Sequence, residues 1–426
     1  MSDRESIGKY TVLKKLGQGA TSTVYLGFDP FAKREVAIKL LKQEILNDPK
    51  YGKIHQRQLD NEASLAGKLS HPHIVSIYDA LIGDDESYIV MEYVSGGTLE
   101  PHAQPDGLLP LDRVVDYMFK CCRALNYAQF NGVIHRDIKP ANMLLTADGD
   151  IKISDMGAAL ITNLEQTQVS NVGSPSYMSP EQVRGETLTH QTDIYSLGVV
   201  MYRLLAGHAP YPARTLAALC YEILNVEPTP LRHYRPDLPP ELERVVMRAM
   251  HKERSGRYAE WRDFGSDLSA LGRFQQNEAG ISATEKFTQL REMSLFRDFT
   301  DTELWEVLRV GQWLQQPPQT VLVREDEIGD DLFFLIGGTV NVTKNGRLLN
   351  VIGRNECFGE MAYVSGKAEP RSATVTASTE VTLLKLTPGQ LAQLSDHCQL
   401  HFNQVFLRVM ADRLRMADVR FAKFAN

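Results

Sequence analysis

Two stretches near the start of the chain alternate between apolar and polar residues. Residues 10–29 read YTVLKKLGQGATSTVYLGFD, and the alternation on both sides of GQG predicts a strand, a turn and a second strand. A short apolar strand, VAIK, is predicted at 36–39. Residues 58–75 then place apolar side chains at helical spacing as far as Leu69. We therefore expect a small sheet followed by a helix in this part of the chain.

From residue 290 onward the pattern changes to short β-rich segments separated by turn residues. Examples are TVLVRE, DLFFLIGGTVNVTKNG, RLLNVIG, SATVTAS and EVTLLKL. Several short strands between regular turns predict a barrel or a jelly roll. A helix capped by Thr300 and Asp301 is expected before these strands, and a last helix is expected over 402–426. These elements indicate an α+β fold class, with a polar linker over 271–289.

Composition and charge are those of an ordinary soluble globular protein. The chain has 426 residues, of which 43% are hydrophobic and 23% charged, with a formal net charge of −7. The acidic balance argues against general nucleic-acid binding. No secretory signal is visible at the start. The longest apolar run, 194–207, contains Arg203 and is too short for a membrane span, so it predicts a buried helix.

The cysteines and histidines give no sign of a metal centre. The five cysteines are scattered and odd in number, and no CxxC pair or Cys/His ligand spacing is present. No histidine cluster suggests a metal either. We therefore expect neither zinc nor a disulfide framework, and a reducing cytoplasm fits this cysteine content.

The segment VIHRDIKPANMLL at 133–145 presents an acid, a cation and an amide close together. This set suits phosphoryl transfer. Asp137 would orient the attacking hydroxyl and accept its proton, Lys139 would neutralise the γ-phosphate, and Asn142 would ligate Mg²⁺. Asp155, after the strand DIKIS, would hold the metal ions that bridge the phosphates. Each feature alone also fits a solvated loop, but their order along the chain favours the catalytic interpretation.

Lys39 and Glu62 are a candidate ion pair of the same site. Lys39 ends the apolar strand VAIK, and Glu62 lies beside the apolar stripe of the following helix. An unpaired carboxylate there would be costly. Pairing would remove that cost and would orient the lysine ammonium toward the α- and β-phosphates. The alternative is that Lys39 extends to solvent from a sheet edge.

Residues 10–270 resemble a protein kinase catalytic domain, and the motif set is specific to that family. The resemblance implies a bilobal fold, serine/threonine specificity, and ATP with Mg²⁺ or Mn²⁺ as cofactors. It also implies that Asp193 anchors the catalytic loop, that Glu181 pairs with Arg257, and that Met156 replaces a more usual phenylalanine. The implied nucleotide-binding residues are Leu16, Gly17, Gly19, Val24, Ala37, Lys39, Leu144, the gatekeeper Met91, and the hinge residues Glu92 and Val94.

The activation segment, 155–181, contains candidate phosphorylation sites. Arg136 precedes the catalytic Asp137, which in this family usually means that a phosphate paired with the arginine orders the segment. We expect autophosphorylation at Thr167 and Ser170. The alternative is a plain polar loop.

The segment FGEMAYVSGKAEPRSATV at 358–375 predicts a second phosphate site. Gly359 permits close backbone approach, Glu360 suits a ribose hydroxyl, and Arg371 suits phosphate oxygens. Residues from about 290 to 405 resemble a cyclic-nucleotide-binding domain, with a Glu-to-Arg segment that is two residues longer than usual. The cyclic nucleotide is cAMP or cGMP. The implied contacts are Phe358, Gly359, Glu360, Met361, Ala362, Arg371, Ser372 and Ala373.

These observations predict a serine/threonine protein kinase, residues 10–270, joined to a cyclic-nucleotide-binding domain, residues 290–426, that regulates it. The expected partners are protein substrates with serine or threonine acceptors and a cyclic nucleotide, without nucleic acid or a membrane span. A homodimer through the last helix remains an alternative role for that helix. Two other functions stay open: a pseudokinase scaffold that holds ATP, and a kinase whose barrel is structural or dimerising without a ligand.

Overall fold

A computed structural model describes residues 4–19, 21–48, 52–83, 86–156, 160–161, 175–273, 283–361 and 369–424. The chain divides into two compact units, Met1–Gly280 and Ile281–Asn426. Across the described residues, no helix combines the length and the apolar character that a membrane crossing requires.

The first unit begins with a six-stranded antiparallel sheet in the order β1-β2-β3-β4-β6-β5. Buried residues of several strands form one apolar cluster that includes Tyr10, Ile38 and Val90. The predicted strand–turn–strand unit is present as β2 and β3, with Gly17 opposite Val24. The strands are β1 Ser6–Ile7, β2 Tyr10–Gln18, β3 Ser22–Asp29, β4 Arg34–Leu41, β5 Ile77–Leu81 and β6 Tyr88–Glu92.

Two helices, α1 Gln43–Leu46 and α2 Gly52–Ser64, lie between β4 and β5 in the sequence. The sequence predicted a helix that reaches Leu69, and this was wrong at its carboxyl end. The α-helix ends at Ser64 and is followed by turns. Gly67 adopts φ +70°, a left-handed conformation that terminates helices and that glycine tolerates without strain.

The rest of the first unit is mainly helical. Its central helix, α5, contains the apolar run predicted as a buried helix, and 194–206 of this run are almost entirely buried. The helices are α3 Leu111–Phe130, α4 Pro180–Arg184, α5 His190–Ala206, α6 Leu216–Asn225, α7 Leu231–Tyr234, α8 Pro240–Ala249 and α9 Trp261–Arg273. Two short antiparallel pairs accompany them, formed by β7 Val133–Ile134 with β10 Leu160–Ile161 and by β8 Met143–Leu145 with β9 Ile151–Ile153.

The second unit contains two four-stranded sheets, in the orders β11-β20-β14-β17 and β12-β19-β15-β16, and a small pair of β13 with β18. Inward residues of both sheets, including Phe333, Leu335, Val375 and Leu383, form one core. The strands are β11 Gln312–Gln316, β12 Val321–Val323, β13 Ile328–Gly329, β14 Leu332–Gly337, β15 Val340–Lys344, β16 Arg347–Ile352, β17 Cys357–Phe358, β18 Glu369–Pro370, β19 Thr374–Ala377 and β20 Val381–Leu386. The chain therefore has the predicted α+β fold, with a jelly-roll sandwich in its second half.

Helices flank this sandwich: α10 Ala283–Glu292, α11 Asp301–Val310, α12 Pro388–Leu391 and α13 Asp396–Phe424. The predicted cap of α11 is confirmed for Thr300, which forms a capping box with Glu303, whereas Asp301 is the first residue of the helix. The linker predicted at 271–289 differs from the structure, since 271–273 continue α9 and 283–289 lie in α10. Buried Phe287 and Leu290 explain why α10 packs in the second unit. The last helix also begins earlier than the sequence indicated, at Asp396.

Candidate active site and candidate nucleotide-binding site

The buried helix α5 holds the loop around Asp137 in place. The carboxylate of Asp193 accepts hydrogen bonds from the backbone N–H of His135 (2.7 Å) and of Arg136 (2.8 Å). Arg136 adopts φ +68°, an unusual conformation for a side chain of its size that the two hydrogen bonds help to hold. The position of the loop therefore depends on a carboxylate more than 50 residues further along the chain.

Asp137, Lys139 and Asn142 converge as the sequence predicted. The Lys139 ammonium donates to Asp137 Oδ2 at 2.6 Å. The Asn142 amide nitrogen donates to the Asp137 carbonyl oxygen at 2.8 Å and to its Oδ2 at 3.1 Å. The carboxylate is thus held by two donors and remains partly accessible, with 13% of its side chain exposed. These contacts fit a base or orienting group for an incoming hydroxyl.

Lys39 contacts Glu62, the partner that the sequence assigned to it, and also Asp155, which the sequence assigned to the metal ions. Its ammonium lies 2.9 Å from Glu62 Oε2 and 2.5 Å from Asp155 Oδ1. β4 supplies Lys39, α2 supplies Glu62, and Asp155 follows β9, so three separate elements meet at one cation. Asp155 adopts φ +63°, which is uncommon for a residue other than glycine and is found mostly at functional sites.

Charge pairing outweighs burial for Lys39 and Asp155, whereas burial outweighs pairing for Glu62, as the directions of the three pKa shifts show. Burial lowers the pKa of Lys39, but Asp155 and Glu62 outweigh it, so the net pKa is raised and the lysine stays protonated. Lys39 lowers the pKa of Asp155 below its usual value. Burial raises the pKa of Glu62, and Lys39 opposes that shift. The site therefore presents a permanent cation beside an ionised aspartate.

Asn142 and Asp155 fit the oxygen ligands that Mg²⁺ prefers. Asn142 uses its amide nitrogen on Asp137, which leaves its carbonyl oxygen Oδ1 for a cation. Asp155 uses Oδ1 on Lys39. The strand pair β8–β9 and the Ser154 N–H, which donates to the Asn142 carbonyl oxygen at 2.8 Å, hold the two residues in register. The residues present therefore fit a divalent cation.

The predicted nucleotide-binding residues lie on the sheet and on the strand β8. Val24 is opposite Lys39, and Ala37 is opposite Met91 in the antiparallel ladder. Gly17 has open space where a Cβ would project, and Gly19 closes the turn through its N–H to the Ser22 carbonyl oxygen at 2.8 Å. The other positions are Leu16, which is 40% exposed, Val94 just after β6, and Leu144 in β8.

The Glu92 side chain makes structural contacts that the sequence did not reveal. Its carboxylate pairs with Lys152 at 2.9 Å and accepts from the Ser76 N–H at 3.3 Å. Its own N–H donates to the Ser76 carbonyl oxygen at 2.8 Å. These contacts occupy both the carboxylate and the backbone N–H of Glu92.

The supporting positions agree with the expected packing. Met156 is 3% exposed, as expected for a residue that replaces a buried aromatic ring. Arg257 donates to both carboxylate oxygens of Glu181, at 2.7 and 2.8 Å, and both side chains are fully buried. Thr167 and Ser170, the predicted phosphorylation sites, lie outside the described residues.

In the second unit, Gly359 and Arg371 form a compact cradle. Gly359 adopts φ +85°, and a Cβ there would lie 2.4 Å from the Asp331 carbonyl oxygen, so only glycine fits. The Arg371 guanidinium donates to that same oxygen at 2.9 Å and to the Gly359 carbonyl oxygen at 3.3 Å. These bonds fix the orientation of a permanent cation beside the glycine, an arrangement that suits an anion.

Glu360 is nearly completely buried, with 1% of its side chain exposed. Its Oε1 accepts from Arg413 of helix α13, which also donates to the Cys357 carbonyl oxygen at 2.7 Å. Its Oε2 has no hydrogen-bond partner among the described residues. Burial raises the pKa of Glu360, and Arg413 opposes that shift. A buried acceptor without a partner fits a site for a ligand hydroxyl. The sequence did not indicate Arg413.

The remaining predicted contacts differ in exposure. Phe358 is 3% exposed and stacks on Phe333, with ring centroids 4.9 Å apart, so it contributes to the core and fixes the start of the segment. Met361 is 59% exposed. Ser372 is exposed and Ala373 is half-buried. Ala362 and residues 363–368, which belong to the segment between Glu360 and Arg371, lie outside the described residues.

One cluster of possible metal ligands was not predicted from the sequence. Glu303 of α11 meets His397 and His401 of α13, with their ligand atoms within 4.8 Å of one another. The spacing of the two histidines, four positions apart in a helical segment, was the signal that could have revealed it. The expectation that no histidine cluster exists was therefore wrong.

Comparisons with known proteins match both halves of the chain. A model of the protein kinase domain matches residues 10–261, and a model of the cyclic nucleotide-binding domain matches residues 314–398. The serine/threonine-protein kinase PrkC of Bacillus subtilis is 34% identical over 296 residues, which cover 68% of this chain and 45% of that protein. PknB of Mycolicibacterium smegmatis is 35% identical over 289 residues, which cover 66% and 44%. A probable serine/threonine-protein kinase of Clostridium acetobutylicum is 34% identical over 286 residues, which cover 67% and 42%. The matched region thus spans less than half of each relative.

Proposed function

Because this chain belongs to the protein kinase family, we propose that it transfers the γ-phosphoryl group of ATP to serine or threonine hydroxyls of proteins. We also propose that a cyclic nucleotide bound in the second unit regulates this transfer. The proposed domain limits are 10–270 for the kinase and 290–426 for the regulatory domain. A cytoplasmic location is proposed with them, because ATP is abundant there and all five cysteines are unpaired.

The observation that carries the kinase proposal is the meeting of Lys39 with Glu62 and Asp155 beside a loop that holds Asp137. Lys39 would bind the α- and β-phosphates, and Glu62 would keep its ammonium in place. Asp137 would orient the acceptor hydroxyl and take its proton, while Lys139 would balance charge at the γ-phosphate. Mg²⁺ or Mn²⁺, held by Asn142 and Asp155, would neutralise the phosphate charge when bound.

Phosphorylation of the chain itself and of an added generic basic protein tests this proposal. Purified chain with Mg-ATP is expected to label itself and the added protein on serine and threonine, and Asp137→Ala is expected to abolish both. Asp112→Ala, an acid at the start of α3 and outside this site, is the matched control. ATP binding without any phosphoryl transfer would instead support the pseudokinase scaffold.

Arg136 supports the proposal that a phosphate orders the activation segment. Its guanidinium Nε is buried and has no hydrogen-bond partner among the described residues. Burial lowers the pKa of Arg136 to about 10. A nearby phosphate would stabilise the charged form and supply acceptors. Thr167→Ala combined with Ser170→Ala is expected to lower turnover, and unchanged turnover would place the switch elsewhere.

The regulatory proposal rests on the cradle of Gly359 and Arg371 and on the unpartnered Oε2 of Glu360. Arg371 would bind the cyclic phosphate, and Glu360 would accept from the ribose hydroxyl. Binding changes activity only if the ligand has different affinities for two arrangements of the chain. Kinase activity with and without cAMP and cGMP is the test, and Arg371→Ala is expected to abolish the response. If activity ignores both nucleotides, the regulatory half of the proposal fails.

Calorimetry with cAMP and cGMP on the whole chain tests the alternative that the barrel has a structural or dimerising role. A barrel with a structural or dimerising role would bind neither cAMP nor cGMP, whereas the proposed sensor binds at least one.

A homodimer through α13 is proposed as a separate property. Leu400, Leu407 and Leu414 recur every seven residues on this helix and are 51%, 71% and 66% exposed. A seven-residue repeat of apolar side chains is typical of paired helices. Light scattering is expected to give the dimer mass for the unmodified chain and the monomer mass for Leu407→Glu.

A further inference from the structure

We propose that Glu303, His397 and His401 form a binding site for a divalent transition-metal ion of the zinc type. This site lies outside both sites described above, and the inference does not depend on either of the proposed activities. Among the described residues, these three side chains are the one group of histidine, cysteine or acidic residues whose ligand atoms approach so closely.

The carboxylate of Glu303 is the fixed centre of the cluster. Its side chain is 4% exposed, although it belongs to the first turn of α11. Oε2 accepts from the backbone N–H of Thr300 at 2.6 Å and from its hydroxyl at 2.9 Å. These two bonds hold one oxygen in place and direct the other, Oε1, toward α13.

Both imidazoles turn the same nitrogen toward that oxygen. Nδ1 of His397 lies 2.7 Å from Oε1 of Glu303, and Nδ1 of His401 lies 2.9 Å from it. The two histidines are four residues apart on one helical face, with ring centroids 4.7 Å apart. His401 also packs against Phe299, with centroids 5.4 Å apart, which restricts its rotation. Two nitrogens and one carboxylate oxygen therefore converge from two helices.

This donor set suits zinc and similar transition-metal ions better than it suits Mg²⁺ or Ca²⁺. Zn²⁺ is bound by histidine nitrogen and carboxylate oxygen, and sites with three protein ligands keep a fourth position for water. Mg²⁺ and Ca²⁺ prefer oxygen ligands alone. His397 is 69% exposed, so solvent reaches the cluster from one side. The Cys398 sulfur lies 4.0 Å from the Glu303 carbonyl oxygen and is directed at the main chain.

The surroundings already hold the two helices together and reduce the cost of ordering the ligands. Glu306 of α11 accepts from the Ser395 N–H at 2.8 Å and from its hydroxyl at 3.1 Å, directly before α13.

The N-terminus of a helix carries a partial positive charge that disfavours cations, and the N-termini of α11 and α13 both lie at this cluster. The carboxylates of Glu303 and Glu306 and the nearby Asp396 in the first turn of α13 counter that field.

Zinc titration of the full chain tests the site. The protein is stripped with a chelator and titrated with Zn²⁺ in competition with a chromophoric chelator, in excess Mg²⁺ so that the oxygen sites of the first unit stay occupied. We expect one Zn²⁺ per chain. We expect Glu303→Gln, His397→Gln and His401→Gln each to weaken binding by more than the ~10- to 100-fold that outer partners of a metal site contribute.

Two controls and a second readout make the result decisive. Glu303→Gln retains a capping box, because glutamine also reaches the Thr300 N–H, so the fold is expected to persist and circular dichroism checks it. His251→Gln replaces an exposed histidine of the first unit and is expected to leave binding unchanged. Cobalt provides the second readout, since a four-coordinate site gives intense visible absorption that the three cluster variants should lose. Zinc binding that is absent, or that survives all three variants, would overturn the proposal.

Discussion

Arg413 is expected to hold the proposed cyclic-nucleotide site in a less receptive state. Its guanidinium occupies Oε1 of Glu360, the carboxylate proposed to accept from the ribose hydroxyl, and it also donates to the Cys357 carbonyl oxygen at 2.7 Å. We propose that the bound ribose uses Oε1 as well as the unpartnered Oε2, so that the ligand must displace this arginine from Oε1. Arg413→Ala removes the competitor and is therefore expected to raise the affinity for the nucleotide.

The size of the effect follows from the exposure of the two partners. A hydrogen bond to a charged group contributes roughly 1.5–3 kcal/mol, whereas exposed ion pairs contribute about 0–1 kcal/mol. Glu360 is 1% exposed and Arg413 is 45% exposed, so we take a value of about 1–2 kcal/mol between these limits. The competent fraction of the free protein is reduced accordingly. Removing Arg413 is expected to tighten binding about 5- to 30-fold.

Fluorescence anisotropy with a labelled cyclic nucleotide on the full chain measures this change. Arg415→Ala is the matched control, because Arg415 lies on the same helix and pairs with Asp412 at the surface. Its affinity should equal that of the unmodified chain. A double-mutant cycle with Glu360→Gln gives the mechanism: the gain from Arg413→Ala should largely disappear when the carboxylate is absent.

Two results would refute this reasoning. Weaker binding of Arg413→Ala would mean that the arginine contacts the ligand instead of competing with it. An equal gain in the presence and in the absence of Glu360 would mean that Arg413 acts through another contact of α13.

Three further predictions follow from the first unit and from α11. Glu62→Gln is expected to lower kcat/KM for ATP by about a hundredfold in a steady-state assay, because Lys39 loses the partner that positions it; an unchanged value would show that Asp155 alone suffices. Arg257→Met removes the two-pronged partner of buried Glu181 and leaves only Arg254, at 3.9 Å, as a nearby cation among the described residues. Denaturant titration should show a loss of about 3 kcal/mol, and a loss within error would contradict the importance of the buried pair. Thr300→Ala removes the cap of α11 and is expected to cost about 1 kcal/mol by the same titration, whereas Thr300→Ser should cost little.

The sequence predicted best what depends on neighbours along the chain. Alternation in 10–29 predicted β2 and β3, because a period of two fixes which side chains face the core. The residues of 133–145 meet because a short loop between two strands leaves them little freedom. The ends of helices and strands were harder to predict, since helix α2 stops at Ser64 although the apolar spacing continues to Leu69. The left-handed turn at Gly67 overrides that periodicity.

Partners that are far apart in the sequence could not be predicted from it. Burial of Glu360 requires a counter-charge, but several arginines were available, and the one used lies 53 positions further on. The same holds for Glu303, whose histidines follow at 94 and 98 positions. A periodic pattern shows which face of an element is buried, whereas the choice among equivalent cations depends on how the elements pack.

Helix α13 carries both of these distant contacts, and under the proposed regulation it would be the element that responds to the ligand. Its first turns are tied to α11 through His397 and His401, and its later part is tied to Glu360 through Arg413. The twelve residues from His401 to Arg413 correspond to about 18 Å of helix. A nucleotide that takes Glu360 from Arg413 therefore acts on the later part of α13, while the contacts with Glu303 hold its beginning. A metal ion bound by Glu303, His397 and His401 would hold the N-terminal end of α13 more firmly. Any movement of the helix caused by the nucleotide would then be largest in the part that carries Arg413.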